Sequence, residues 1–161
     1  EELLLTFPVR IRDAVVGKFL AAWGLLAVAL VLTLPIAATT AWLAAGTMDA
    51  GPAVGGYLAA LLMGGAYLAI GLFVSSLTQH QIIAAVVTLA ILGVLWLAGS
   101  PLALASMPGW LRPIASAAAL ETHFRAIGRG LLDLGDVLYY ATVIGLFLGL
   151  NGIVLDARRW R

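Results

Sequence analysis

Apolar and polar positions alternate along this chain in long blocks, not at a helical or strand period. No charged residue falls between 19 and 46, 53 and 74, 82 and 99, or 137 and 155. About 20 apolar residues in a helix cross a hydrocarbon core of about 30 Å, so each block is long enough to span a bilayer. The pattern therefore predicts an all-α, polytopic transmembrane bundle with four spans, at 16–46, 53–74, 82–99 and 137–155. Pro35 falls in the outer half of the first span, where it is expected to kink the helix without ending it. Trp23 and Trp42 sit nineteen positions apart in that span, a spacing of roughly 28 Å along a helix, and each is expected to mark a membrane interface. A short Gly/Asp/Pro turn, Gly46 to Pro52, joins the first two spans, and the polar knot Ser75 to Gln81 joins the second and third.

The segment 100–136 differs, with Pro101, Pro108, Pro113 and most of the interior charge. Glu121, Arg125, Arg129 and Asp133 recur every four residues, which on one helix gives a charged ladder, while Leu120, Phe124, Ile127 and Leu131 face elsewhere. An extracytoplasmic amphipathic helix, lying at or dipping into the interface, fits that pattern. A solvated helix face is the plainer reading of the ladder, a substrate contact the sharper one.

Composition confirms the class. Of 161 residues 63% are hydrophobic and 11% charged, and the mean hydropathy is +1.07. A soluble domain carries about 25% charged residues and, at this length, has too little interior to hide so much apolar surface. Basic residues fix the orientation. Arg10, Arg12, Lys18, Arg158, Arg159 and Arg161 flank the outer ends of the first and last spans, against Arg112, Arg125 and Arg129 on the other side. Both ends and the Ser75–Gln81 turn are thus expected in the cytoplasm. The basic residues form no cluster, so no nucleic-acid partner is expected. The chain opens on Glu1 and lacks the pattern of a signal peptide, so upstream residues are expected to precede it.

Little catalytic chemistry is legible. The chain has no cysteine, no His-Glu-x-x-His, no G-x-S-x-G and no phosphate-binding loop. His80 and His123 are placed on opposite sides of the membrane and cannot share a metal. No catalytic, cofactor-binding or metal-binding residue is therefore assigned. No span contains Asp, Glu, Lys, Arg or His, which disfavours an ion-coupled carrier. Asn151 is the strongest polar group within a span and is expected to make a helix–helix hydrogen bond. Gly145 and Gly149, with Gly64, Gly65 and Gly71, are expected at close helix contacts. Glu1 to Val9 forms an apolar cluster followed by Arg10, Arg12, Asp13 and Lys18. It reads either as an interfacial helix on lipid or as a helix docking into a groove of a soluble subunit.

Three stretches resemble one family, the permease subunits of ABC-2 type exporters, and in it the branch of gliding-motility and nitrous-oxide-reductase-maturation permeases. The first is Glu2, Leu3, Leu4, Leu5, Thr6 and Pro8 with Gly17, Lys18 and Phe19. The second is Gly71, Leu72, Phe73, Ser75, Ser76, Leu77, Thr78 and Gln81. The third is His123, Phe124, Arg129, Gly130, Asp133, Asp136, Tyr139 and Tyr140, with Arg158 and Arg159. They stand in the family's order and cover essentially the whole chain, although Val9 and Arg10 replace a helix-capping Ser or Asp. The resemblance implies that the four spans are the last four of six, in the inner membrane of a prokaryote. It implies that Glu2, Leu3, Leu4, Leu5, Thr6, Phe7 and Pro8, within the segment 1–14, belong to a cytoplasmic coupling helix. It implies an ATP-binding cassette ATPase as partner, holding ATP and Mg, a second permease subunit, identical or not, and outer re-entrant helices over 100–136. The competing class is a non-transport membrane scaffold whose spans merely pack together.

Overall fold

A computed structural model describes residues 11–44, 49–130 and 133–159. The described residues form seven helices joined by short turns, with no strand among them: α1 (Ile11–Leu43), α2 (Ala50–Leu77), α3 (Gln81–Ala98), α4 (Pro101–Ser106), α5 (Arg112–Ala118), α6 (Leu120–Gly128) and α7 (Leu134–Arg159). Four of them, α1, α2, α3 and α7, are long and apolar enough to cross a membrane, as the charge-free blocks predict. α1 starts at Ile11, ahead of the expected boundary at 16, and continues through Pro35 to Leu43. Its 33 residues measure about 50 Å, longer than a hydrocarbon core, so the turn holding Asp13 extends the helix beyond the apolar slab.

Turn chemistry sets the other boundaries. Asp49 caps α2, its Oδ1 accepting from the Gly51 amide at 3.0 Å, and Pro52 lies in the first turn, where it removes no intrahelical bond. Ser100 caps α4, its Oγ accepting from Ala103 N at 3.3 Å, with Pro101 behind it. Arg112, at the start of α5, donates from Nη2 to Ala105 O at 2.6 Å and from Nε to Met107 O at 3.0 Å. A cation thus satisfies carbonyls at the end of α4 and meets the negative end of that helix.

α2 is the central span. One third of its most apolar window is buried, against 6% for α1 and for α3, and it packs on α1, α3, α6 and α7. Its Ala59, Ala66, Ile70 and Val74 form the core with Leu120 and Ile127 of α6 and Tyr140 of α7. Small residues admit this. A Cβ on Gly55 would collide with the Ile127 carbonyl oxygen and stand 3.2 Å from Gly130 Cα, so α6 crosses α2 in backbone contact. A Cβ on Gly65 would stand 2.9 Å from Trp23 Nε1 and 3.1 Å from Ile144 Cδ1. Gly145 and Gly149 meet nothing within 4 Å. Their spacing, expected at a close helix contact, instead faces out of the bundle.

Trp23 has a role that its spacing along the chain does not show. Its indole Nε1 donates to Leu61 O of α2 at 2.9 Å, and its ring stacks on Phe19 at 5.8 Å between centroids. It is a contact between spans, seated in a slot that Gly65 leaves. Trp42 is 83% exposed, as a lipid-facing or interfacial side chain would be.

Candidate functional site

Polar groups gather at the two opposite ends of the bundle. One end holds the start of α1, the end of α2, the Ser75–Gln81 turn and the end of α7. The other holds α4, α5, α6 and the start of α7.

At the α6 end, His123 is the hub. Its Nδ1 lies 2.5 Å from Asp136 Oδ1 and its Nε2 3.1 Å from Ala117 O, so both ring nitrogens face an oxygen acceptor. The imidazole stacks on Tyr139 with centroids 4.0 Å apart. Tyr139 donates to Ala118 O and Tyr140 to Leu120 O, each at 2.6 Å. At the break between α5 and α6, Ala117 and Ala118 close α5, where carbonyls lack helical partners, and Leu120 opens α6, its carbonyl taking the Tyr140 hydroxyl as an additional donor. The two tyrosines and the histidine therefore close the backbone of that break onto α7. Tyr140 is fully buried, and its hydroxyl needs such a partner. This arrangement fixes geometry, because every polar atom named in it is already engaged within the chain.

The charged ladder is divided. Glu121 and Arg125 pair on α6, with Arg125 Nη2 at 2.7 Å and Nε at 3.2 Å from Glu121 Oε1. α6 then ends at Gly128, with Arg129 as its C-cap, and Gly130 turns the chain at φ +81°. Asp133 lies beyond the turn, where its Oδ1 accepts from Gly135 N at 3.1 Å. Four-residue spacing persists in sequence across a break that glycine makes in space. Within the ladder's first half, Glu121 Oε2 is buried without a hydrogen-bond partner, as is the neighbouring Thr122 Oγ1. Leu120 and Ile127 are buried and Phe124 packs on the core, matching the apolar face expected of this segment. Leu131 lies outside the described residues.

At the other end a cavity of about 700 Å³ opens between α1, α2, α3 and α7, lined by Lys18, Ser75, Ser76, Gln79, Gln81 and Asn151 among others. Asn151 is 3% exposed, and its Oδ1 has no hydrogen-bond partner. The helix–helix bond expected of it is not made through that oxygen. No side chain caps the N-terminus of α3, whose N-cap is His80. His80 and His123 lie at opposite ends, and among the described residues no group of three or more His, Cys, Asp or Glu could hold a metal ion. The coupling residues Glu2, Leu3, Leu4, Leu5, Thr6, Phe7 and Pro8 lie outside the described residues.

The sequence did not single out Gly55, Trp23 as an inter-span donor, or the Tyr139–Tyr140 closure. Adjacent tyrosines three and four residues after Asp136, at the start of a span, were the one visible trace of the last. Comparison with known families, with curated proteins and with solved structures finds no match to this chain.

Proposed function

We propose that the chain is the membrane-spanning permease subunit of an ATP-binding cassette exporter of the ABC-2 type. It pairs with a second permease and is driven by two nucleotide-hydrolysing partner subunits that hold ATP and Mg. The observation that carries this reading is the ordered resemblance of three stretches, Glu2–Phe19, Gly71–Gln81 and His123–Arg159, to that family. The architecture supports it in two respects. Short helices α4 to α6 stand between the third and fourth spans, where the family has its outer helices. The end that the resemblance assigns to ATPase contact is the one expected in the cytoplasm from its six basic residues.

In this reading, closure of the ATPase dimer pushes the segment holding Leu3, Leu4, Leu5 and Phe7. The push passes to α1 and through Trp23 to α2, so the two spans tilt together and shift an equilibrium between two packings. Replacing Leu4 and Phe7 by Asp is expected to uncouple the complex. ATP hydrolysis by the purified assembly should then fall back to the rate of the isolated ATPase. An unchanged, permease-dependent rate in that double variant would contradict the assignment, and failure of any such assembly to form would favour the scaffold reading.

A further inference from the structure

The charge pattern predicts that the ladder helix of the 100–136 segment lies at the membrane interface. In the structure that helix, α6, is sunk against α2 with Leu120 and Ile127 buried, and it is the stretch before it, α4 and α5, that turns outward. Leu102, Trp110 and Ile114 in this stretch are 83%, 72% and 65% exposed. Exposed apolar side chains continue on both sides of it, with Trp96 and Leu97 at the end of α3 and Leu134 and Leu138 at the start of α7. The apolar surface of two spans thus runs on, unbroken in sequence, over the short helices.

Polar groups in the stretch are turned back onto its own backbone. Ser100 Oγ donates to Leu97 O, Ser106 Oγ to Leu102 O and Ser116 Oγ to Pro113 O, at 2.7, 2.9 and 3.0 Å. Pro101, Pro108 and Pro113 bring no N–H. Between Ser100 and Ala119 the one charged residue is Arg112, and its Nε and Nη2 serve the Met107 and Ala105 carbonyls. Water would satisfy such groups on a solvated surface, whereas hydrocarbon requires them to be satisfied within the chain. Two donors make no hydrogen bond among the described residues, the Trp110 indole N–H and Arg112 Nη1. A protein interface carries about one hydrogen bond per 100–200 Å², and this surface offers little to specify one. An indole and a guanidinium over an apolar body match the boundary between acyl chains and headgroups.

From this juxtaposition we infer that α4 and α5 seat on the phospholipid leaflet at that end of the bundle. Leu102 and Ile114 enter the acyl chains, Trp110 lies at their boundary, and its indole N–H and Arg112 Nη1 donate to phosphate or ester oxygens of the headgroup layer. On their inner side the helices are held by the bundle, because His123 and Tyr139 meet the Ala117 and Ala118 carbonyls that close α5. This lipid contact stands independently of the exporter reading.

The chain has no cysteine, so Leu102→Cys and Ile114→Cys can each carry a single nitroxide. Leu89→Cys, exposed in the middle of α3, and Gln79→Cys, exposed in the turn before it, serve as lipid and water references. Each labelled protein is reconstituted into vesicles of phosphatidylcholine and phosphatidylglycerol. Collision with oxygen, which concentrates in lipid, is compared with collision with a water-soluble nickel chelate. Labels at 102 and 114 are expected to favour oxygen as at 89, with the reverse at 79. Nickel contact at 102 and 114 would overturn the proposal in favour of a solvated surface. Exclusion of both reagents would overturn it in favour of a covering protein or second copy. The unlabelled chain gives a second reading that no label can disturb. Phospholipids brominated near the headgroup should quench part of its tryptophan fluorescence, and Trp110→Phe should remove part of that quenching. An unchanged quenched fraction in Trp110→Phe would contradict the seat of the indole.

Discussion

The indole of Trp23 lies over Gly65, its Nε1 donating to the Leu61 carbonyl at 2.9 Å at the point where a Cβ on Gly65 would stand 2.9 Å from that nitrogen. This is how α1, otherwise exposed along most of its length, is keyed to the central span. Gly65→Ala must displace the ring or the helix and is expected to destabilise the bundle by about 1–3 kcal/mol. The check is reversible SDS titration in mixed micelles. Gly149→Ala, whose added methyl meets nothing within 4 Å, should leave the same transition in place.

Gly55 is the stricter case. Its added Cβ would meet a backbone oxygen, that of Ile127, with Gly130 close behind, and backbone cannot rotate aside as a side chain can. By contrast the atom facing Gly64 is the end of the Leu26 side chain. Gly55→Ala is therefore expected to cost more than Gly64→Ala, and to raise amide exchange in α6 ahead of the rest of the bundle. Equal costs for the two variants would contradict the crossing described for α2 and α6.

Tyr140→Phe removes one oxygen and with it a fully buried hydrogen bond to the Leu120 carbonyl, a loss of about 0.5–1.5 kcal/mol. Tyr139→Phe breaks a bond of the same 2.6 Å length that lies at an exposed position, where water substitutes, and should cost less. Thermal unfolding in detergent separates the two; a larger effect at Tyr139 would contradict the closure as drawn.

His123 and Asp136 act as a pair. His123→Phe preserves a ring for Tyr139 but strands the Asp136 carboxylate, which is 13% exposed, and is expected to destabilise markedly. Adding Asp136→Leu removes the stranded charge and should recover part of the loss, because a partly buried pair is worth less than either half alone costs. Strict additivity of the two substitutions, instead of a coupling of about 0.5–3 kcal/mol, would show that they do not interact.

The four spans were legible because an uninterrupted absence of charge over some twenty residues has few readings in a protein. What the sequence concealed was depth and partnership. Trp23 reads as an interface aromatic because position within an apolar run says nothing of which neighbour leaves a gap, and the gap is made forty-two residues away by Gly65. The charged ladder reads as one face of one helix because its spacing runs on through Gly128 and Gly130, although the backbone turns there. Asn151 is visible as a polar residue in a span, but only the packing reveals that its oxygen is left without a partner.

The central claim is that this chain works with an ATPase. The most direct measurement is gentle purification of the tagged protein, expressed from its own gene in its native membrane, with identification of any associated soluble protein that carries a phosphate-binding loop. The account predicts that an ATP-binding cassette ATPase accompanies the chain and is released by Leu4→Asp with Phe7→Asp. A chain that keeps its own oligomer and purifies without such an ATPase would contradict it.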